Sequence, residues 1–155
     1  MATPDFVLSL REKIGNDPLW LSGITAVVLR GDEVLLVRRA DNGAWTPVTG
    51  IIDPGEQPAA AAERETLEEA NVVARVEALA WVQVTDEVTY DNGDRSQYID
   101  LVFRCSYVSG DPFPADGENS AVAWFALDAL PELSANMRER IRLAVEFDGT
   151  TRFER

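Results

Sequence analysis

The segment GIIDPGEQPAAAAERETLEEANV, residues 50–72, carries four glutamates, Glu63, Glu65, Glu68 and Glu69, on a stretch that reads as one short helix. Pro58 suits a first helical turn, and four alanines followed by a Glu/Leu-rich run favour its continuation. Asn71 stands where the helix should end, and Asn tolerates the left-handed conformation found there. Like charges three and four residues apart destabilise a helix by a few tenths of a kcal/mol per pair, a repulsion that a bound cation would offset. At about 100° per residue, Glu65, Glu68 and Glu69 fall within one arc. Ala61 and Ala62 lie one turn earlier and leave room above the carboxylates. Ala59, Ala62, Thr66 and Ala70 form an adjoining stripe small enough to pack closely on a sheet. An acidic run alone is most often a solvated face. The wider string, G-x5-E-x7-R-E-x2-E-E from Gly50, Glu56, Arg64, Glu65, Glu68 and Glu69, arises by chance on the order of once in ten thousand sequences of this composition.

The rest of the chain narrows the chemistry. Its 155 residues, 46% hydrophobic, make about one domain's worth of length and a real core. Against 14 basic residues stand 27 acids, a formal charge of −13. That surface repels long nucleic acid, yet admits a small phosphate compound if a metal bridges the charges. There is no histidine and only one cysteine, Cys105. Histidine bases, Ser-His-Asp triads and His/Cys zinc sites are therefore excluded within this sequence. A metal here must be held by oxygen, which favours Mg²⁺ or Mn²⁺ over Ca²⁺. Cys105, in the apolar run LVFRCSY, reads as a buried strand residue. Neither a membrane span nor a secretory leader is legible, so the expectation is a cytoplasmic protein that does not associate with membranes.

Residues 4–14 read as an amphipathic helix with Phe6, Leu10 and Ile14 in one stripe, and residues 1–20 as an N-terminal helical extension of a single domain spanning 1–155. GITAVVLR (23–30) and EVLLVRRA (33–40) flank Gly31-Asp32, a hairpin signal. After the acidic helix come strand-like runs at 74–85, 97–107 and 121–127, with an Asn92-Gly93 turn and a Pro- and Gly-bearing loop at 111–120. Ser134 reads as the N-cap of a last helix with Met137, Ile141, Ala144 and Val145 on one face, its arginines Arg138, Arg140 and Arg142 being solvated charges. This order predicts an α/β fold, a mixed β-sheet with helices on both faces.

The residues of the string resemble the Nudix box, G-x5-E-x7-R-E-U-x-E-E-x-G-U with U aliphatic. Every charged position and the first glycine match, and Val72 fills the last aliphatic place. Thr66 stands where an aliphatic residue is usual and Asn71 replaces the second glycine. Upstream, WTPVTG stands where many members have W-x-L-P-G-G. The resemblance continues through VRRADNGAW and WFALDAL and covers most of the chain from about Gly23. It implies a Nudix-like α/β/α sandwich and a metal-dependent hydrolase that cleaves the pyrophosphate bond of a nucleoside diphosphate linked to some group X. It further implies Glu65, Glu68 and Glu69 as metal ligands, to which family position adds the carbonyl of Thr49.

Arg64, about 100° from Glu65 on the wheel, is expected to pair with Glu56 or Glu68 and support the catalytic carboxylates. Gly50 and Gly55 let the loop turn sharply against the helix. Glu118, six residues before Trp124, resembles a later-loop glutamate that can act as the general base, with Asp116 its nearest competitor. Arg39 resembles a phosphate-contacting arginine. Trp45, Trp81 and Tyr90 are candidates to stack on a base, with a core role the alternative for each. The substrate class stays open among nucleoside triphosphates, oxidised nucleotides, dinucleoside polyphosphates and ADP-ribose. Histidine-dependent branches are set aside, and RNA decapping is disfavoured by the charge. A non-catalytic nucleotide-sensing Nudix domain is the alternative, although such domains are expected to lose box carboxylates. Resemblance also suggests a homodimer.

Overall fold

The Gly31-Asp32 turn joins β1 (Leu19–Arg30) to β2 (Glu33–Arg39) as an antiparallel hairpin, with Arg30 paired to Glu33. The computed structural model describes residues 3–155, so the first two residues of the expected 1–20 extension lie outside it. In that extension α1 (Asp5–Ile14) forms as read, but its apolar stripe is displaced. Val7 is the buried residue, packed with Phe6, Leu21 and Ile51, whereas Leu10 is exposed.

Among the described residues nine strands form one mixed sheet. Its centre is the long parallel pairing of β1 with β7 (Arg95–Ser109), from Leu19↔Ser96 to Leu29↔Ser106. β7 continues antiparallel to β5 (Val73–Val84), and the short β6 (Val88–Thr89) and β9 (Arg152–Phe153) attach at the margins. The other edge of β1 forks. β2 leaves it after the hairpin to pair with β3 (Trp45–Thr46) and β8 (Asn119–Ala126), while β4 (Val48–Ile51) takes its place along Gly23–Ala26. This fork opens the cleft that becomes the site.

Period-two alternation sorts the strand residues into two layers. Ile24, Ala26, Val28, Leu35 and Val37 face α2 (Pro58–Ala70), where Ala61, Ala62 and Ala70 are fully buried. Val27, Val34, Leu36, Trp81 and Val102 face α3 (Ala135–Val145) with Ile141 and Ala144. Helices therefore cover both faces of a mixed sheet, as expected. Cys105 is buried in the first layer, where burial pushes its thiol up to about 12. No helix among the described residues is long and apolar enough to cross a membrane.

The helix ends follow the local chemistry. Pro58 opens α2, and Asn71 closes it at φ 55°, ψ 31°, its N–H on the carbonyl of Leu67. The Ser134 side chain caps α3 by accepting from the Met137 N–H at 3.2 Å. The reading of Arg140 as a solvated charge is corrected. It is 7% exposed, lies 3.3 Å from the Asp100 carboxylate and donates to Thr25 Oγ1 at 2.8 Å. Arg140 occupies the turn that α3 turns inward, and Thr25 and Asp100 are the sheet residues it meets there. Trp81 likewise belongs to the core, its Nε1 donating to Glu154.

Candidate active site

The loop before α2 is built around a close approach. A Cβ on Gly50 would lie 2.4 Å from Glu65 Cγ, closer than any side chain permits, so only glycine lets β4 pass over Glu65. Gly55 adopts φ 84°, where a Cβ is strained. Glu56 closes the turn by accepting from the Asp53 N–H at 3.1 Å. Arg64 then ties the loop to the helix. It grips Glu56 with two bonds (Nε 2.7 Å, Nη2 2.9 Å) and reaches Glu65 at 2.9 Å and Glu68 at 3.1 Å. Its fork matches carboxylate geometry, as expected for a supporting residue. The guanidinium holds the Glu56 carboxyl below its usual range, and its own pKa rises through the same bonds.

Two box carboxylates turn inward and one does not. Glu65 is fully buried, and its Oε2 has no hydrogen-bond partner among the described residues. Burial pushes its carboxyl up to about 7 against the opposing pull of Arg64. Glu69 is also buried, which raises its carboxyl, while a bond from Asn119 Nδ2 to Oε2 at 3.2 Å works the other way. Glu68 faces solvent and pairs with Arg64.

A loop arriving from far along the chain completes the arrangement. The last carbonyls of a helix have no partner within it. Here the N–H of Phe113 takes the Ala70 carbonyl at 3.0 Å and that of Ala115 the Glu69 carbonyl at 3.4 Å, while the Asn71 side chain donates to the Asp111 carbonyl. The loop is thus stitched along the end of α2. Asp116 accepts from the Glu118 N–H at 3.0 Å, and the Glu118 carbonyl accepts from Ala40. The result is that Glu69, Asp116 and Glu118 present carboxylate oxygens within 4.8 Å of one another. An all-oxygen group this compact fits a hard divalent cation.

Glu69 and Glu118 open onto a cavity of about 350 Å³ lined also by Val37, Arg39, Asp41, Thr46, Thr49 and Asn119 among others. That volume suits a small organic molecule. Thr49 and Arg39 both line the cavity. Arg39 is held by Asp41 through two bonds, Nε 2.9 Å and Nη2 2.6 Å, a pairing that raises the arginine and lowers the aspartate pKa. Trp45 is not brought to the cavity: its ring packs edge-on against Phe125, 4.9 Å between centroids, in the layer under α3. Tyr90 does not line it either. It sits in the 90–94 turn with its hydroxyl 2.7 Å from that of Tyr98. Asp41, Thr46 and Asn119 are site residues that sequence reasoning missed. Nothing local distinguishes them: Thr46 and Asn119 reach the cavity through strand pairing, and Asp41 from the turn after β2, where it meets Arg39.

A family model described as the NUDIX domain matches residues 20–144. A MutT-like protein of Streptomyces ambofaciens is 33% identical over 143 residues, covering 92% of this chain and 86% of that protein. The NAD-capped RNA hydrolase NudC of Pseudomonas aeruginosa is 36% identical over 112 residues, 70% of this chain, and the match takes in only 37% of NudC's length. Among solved structures, an ADP-ribose pyrophosphatase of Streptococcus suis has the same fold, with a TM-score of 0.65 at 24% identity over 86% of this chain and 98% of that one.

Proposed function

The chain belongs to the Nudix hydrolase family, enzymes that split a pyrophosphate bond in a nucleoside diphosphate linked to a further group, and from that premise we infer how its own residues divide the work. The observation that carries the reading is the convergence of Glu69, Asp116 and Glu118 at the mouth of a nucleotide-sized cavity. Glu69, Glu118 and Asp116 would hold Mg²⁺ or Mn²⁺, with the carbonyl of Thr49, a residue of the same cavity, as a further oxygen donor. Such an ion, when bound, neutralises the phosphates and makes water a competent nucleophile near neutral pH. Glu118, which lines the cavity, is the candidate base; Glu65, shielded from solvent and raised to about 7, does not line it. Arg64 fixes the Glu65 and Glu68 carboxylates by hydrogen bonds and does not face the cavity.

Arg39 is the one basic side chain lining this cavity among the described residues and is assigned to a substrate phosphate, in exchange for part of its pairing with Asp41. The formal charge of −13 supports a small nucleotide rather than a long RNA as substrate. The NAD-capped RNA hydrolases are much longer proteins, and their full activity is not carried over. The lone, buried Cys105 supports a cytoplasmic enzyme.

The test is a panel of nucleoside triphosphates, oxidised dGTP, ADP-ribose, nucleotide sugars and a dinucleoside polyphosphate, with Mg²⁺ and then Mn²⁺, products resolved by chromatography. Cleavage at the pyrophosphate that Glu69→Gln and chelator both abolish is the expected result. Tight nucleotide binding without cleavage of any panel member would replace this reading with that of a nucleotide sensor.

A further inference from the structure

The structure assigns to Asn119 the role of a positioning residue that sets the orientation of the Glu69 carboxylate for divalent-cation binding. The inference rests on the reading that Glu69 belongs to a cation site. Its basis is an irregularity in β8. From Glu33↔Ala126 to Arg38↔Ala121 the β2–β8 register is regular, and Leu35, Val37, Val122 and Trp124 share the face toward α2. Continued alternation would put Ser120 on that face and Asn119 on the other. The register instead shifts between Arg38 and Arg39, and Arg39 pairs with Asn119. An extra residue in one strand re-aims the side chain beside it. Here Ser120 is pushed out to solvent, with its hydroxyl on the Arg38 carbonyl, and Asn119 turns inward at 7% exposure to donate to Glu69.

Chemistry favours asparagine at this place. The bond from Asn119 holds the buried Glu69 carboxylate beside Asp116 and Glu118 without adding a positive charge that would compete with a metal ion. The Asn carboxamide supplies an N–H without a charge. Partners of this kind, which bond the ligand rather than the metal, commonly change metal affinity by one to two orders of magnitude. Asn119 also lies next to Glu118 in the chain, so one short stretch supplies both a ligand and the group that orients another.

Mn²⁺ titration of the full chain, followed by electron paramagnetic resonance without substrate, tests this. The proteins are the native chain, Asn119→Ala, Asn119→Leu, which keeps the branched shape but has no donor, Ser120→Ala and Glu69→Gln. Circular dichroism and thermal midpoints in chelator accompany each. The expected result is Mn²⁺ affinity about 10- to 100-fold weaker in both Asn119 variants, native-like circular dichroism, and Ser120→Ala unchanged. Equal affinity in native and Asn119 variants overturns the inference and leaves the hydrolase reading standing. Native protein that binds Mn²⁺ no better than Glu69→Gln overturns both. Loss of folding in Asn119→Ala and Asn119→Leu alike makes Asn119 a core residue and overturns the positioning role.

Discussion

Removing Arg64 should expose how much of the site's cost this one side chain offsets. It supplies two bonds to Glu56 and one each to Glu65 and Glu68, and its side chain is 30% exposed. The Glu68 pair is solvent-facing and contributes at most about 1 kcal/mol. Stripping the partner from a buried charge costs about 3–5 kcal/mol. The upper end does not apply, because Glu65, with its carboxyl already near 7, can escape by taking up a proton. We therefore expect Arg64→Ala to lose about 3 kcal/mol at pH 8 and clearly less at pH 6. In a chain of this length that corresponds to a fall in Tm of about 6–12 °C. Urea unfolding followed by tryptophan fluorescence in chelator measures it. Adding Glu65→Gln to Arg64→Ala removes the unpaired charge and should recover much of the pH 8 loss. A loss under about 1 kcal/mol at pH 8, or the same loss at both pH values, would refute the claim that Arg64 compensates a buried Glu65 charge.

Other outcomes follow from neighbouring geometry. Folding raises the Glu65 carboxyl from 4.5 to about 7, so the folded state favours its protonated form. That contribution is complete below about pH 4.5 and disappears as pH rises through about 7, so metal-free stability should fall by about 3 kcal/mol across this window and Glu65→Gln should flatten the profile in calorimetry. Gly50→Ala places a methyl 2.4 Å from Glu65 Cγ; it should destabilise by about 1–3 kcal/mol and lower turnover with every substrate, measurable by denaturation and by the chromatographic assay. Arg140→Met leaves the buried Asp100 without its cationic partner, with Thr25 and Gln83 still donating to it, and should cost about 3 kcal/mol, most of it restored in the double variant with Asp100→Asn, as chemical denaturation of all three proteins would show.

The box helix, its proline start, its Asn71 stop and its acidic arc were legible in the sequence, although Glu68, read together with Glu65 and Glu69, turns to solvent. Each is decided within a few residues, by helical spacing, capping chemistry or steric permission at Gly50 and Gly55. The missing histidines likewise restricted any metal site to oxygen donors. Arg140 shows the limit of such reading. Its charge suggests solvent, and only the sheet residues opposite α3, Thr25 and Asp100, make burial tolerable. Trp45 shows it again, since nothing in its neighbours says that Phe125, eighty positions later in the chain, will claim its ring.

For the site itself the division is sharper. Sequence determined that a cluster of acids would sit on one helix. Which of them meet a partner was decided by a loop more than forty residues away, drawn in because the helix end has carbonyls that need donors. The arrival of Asp116 and Glu118 beside Glu69, and the turn of Asn119 toward it through a register shift in β8, are long-range events. They depend on strand pairing and backbone satisfaction across the whole sheet, and no local pattern of side chains encodes them.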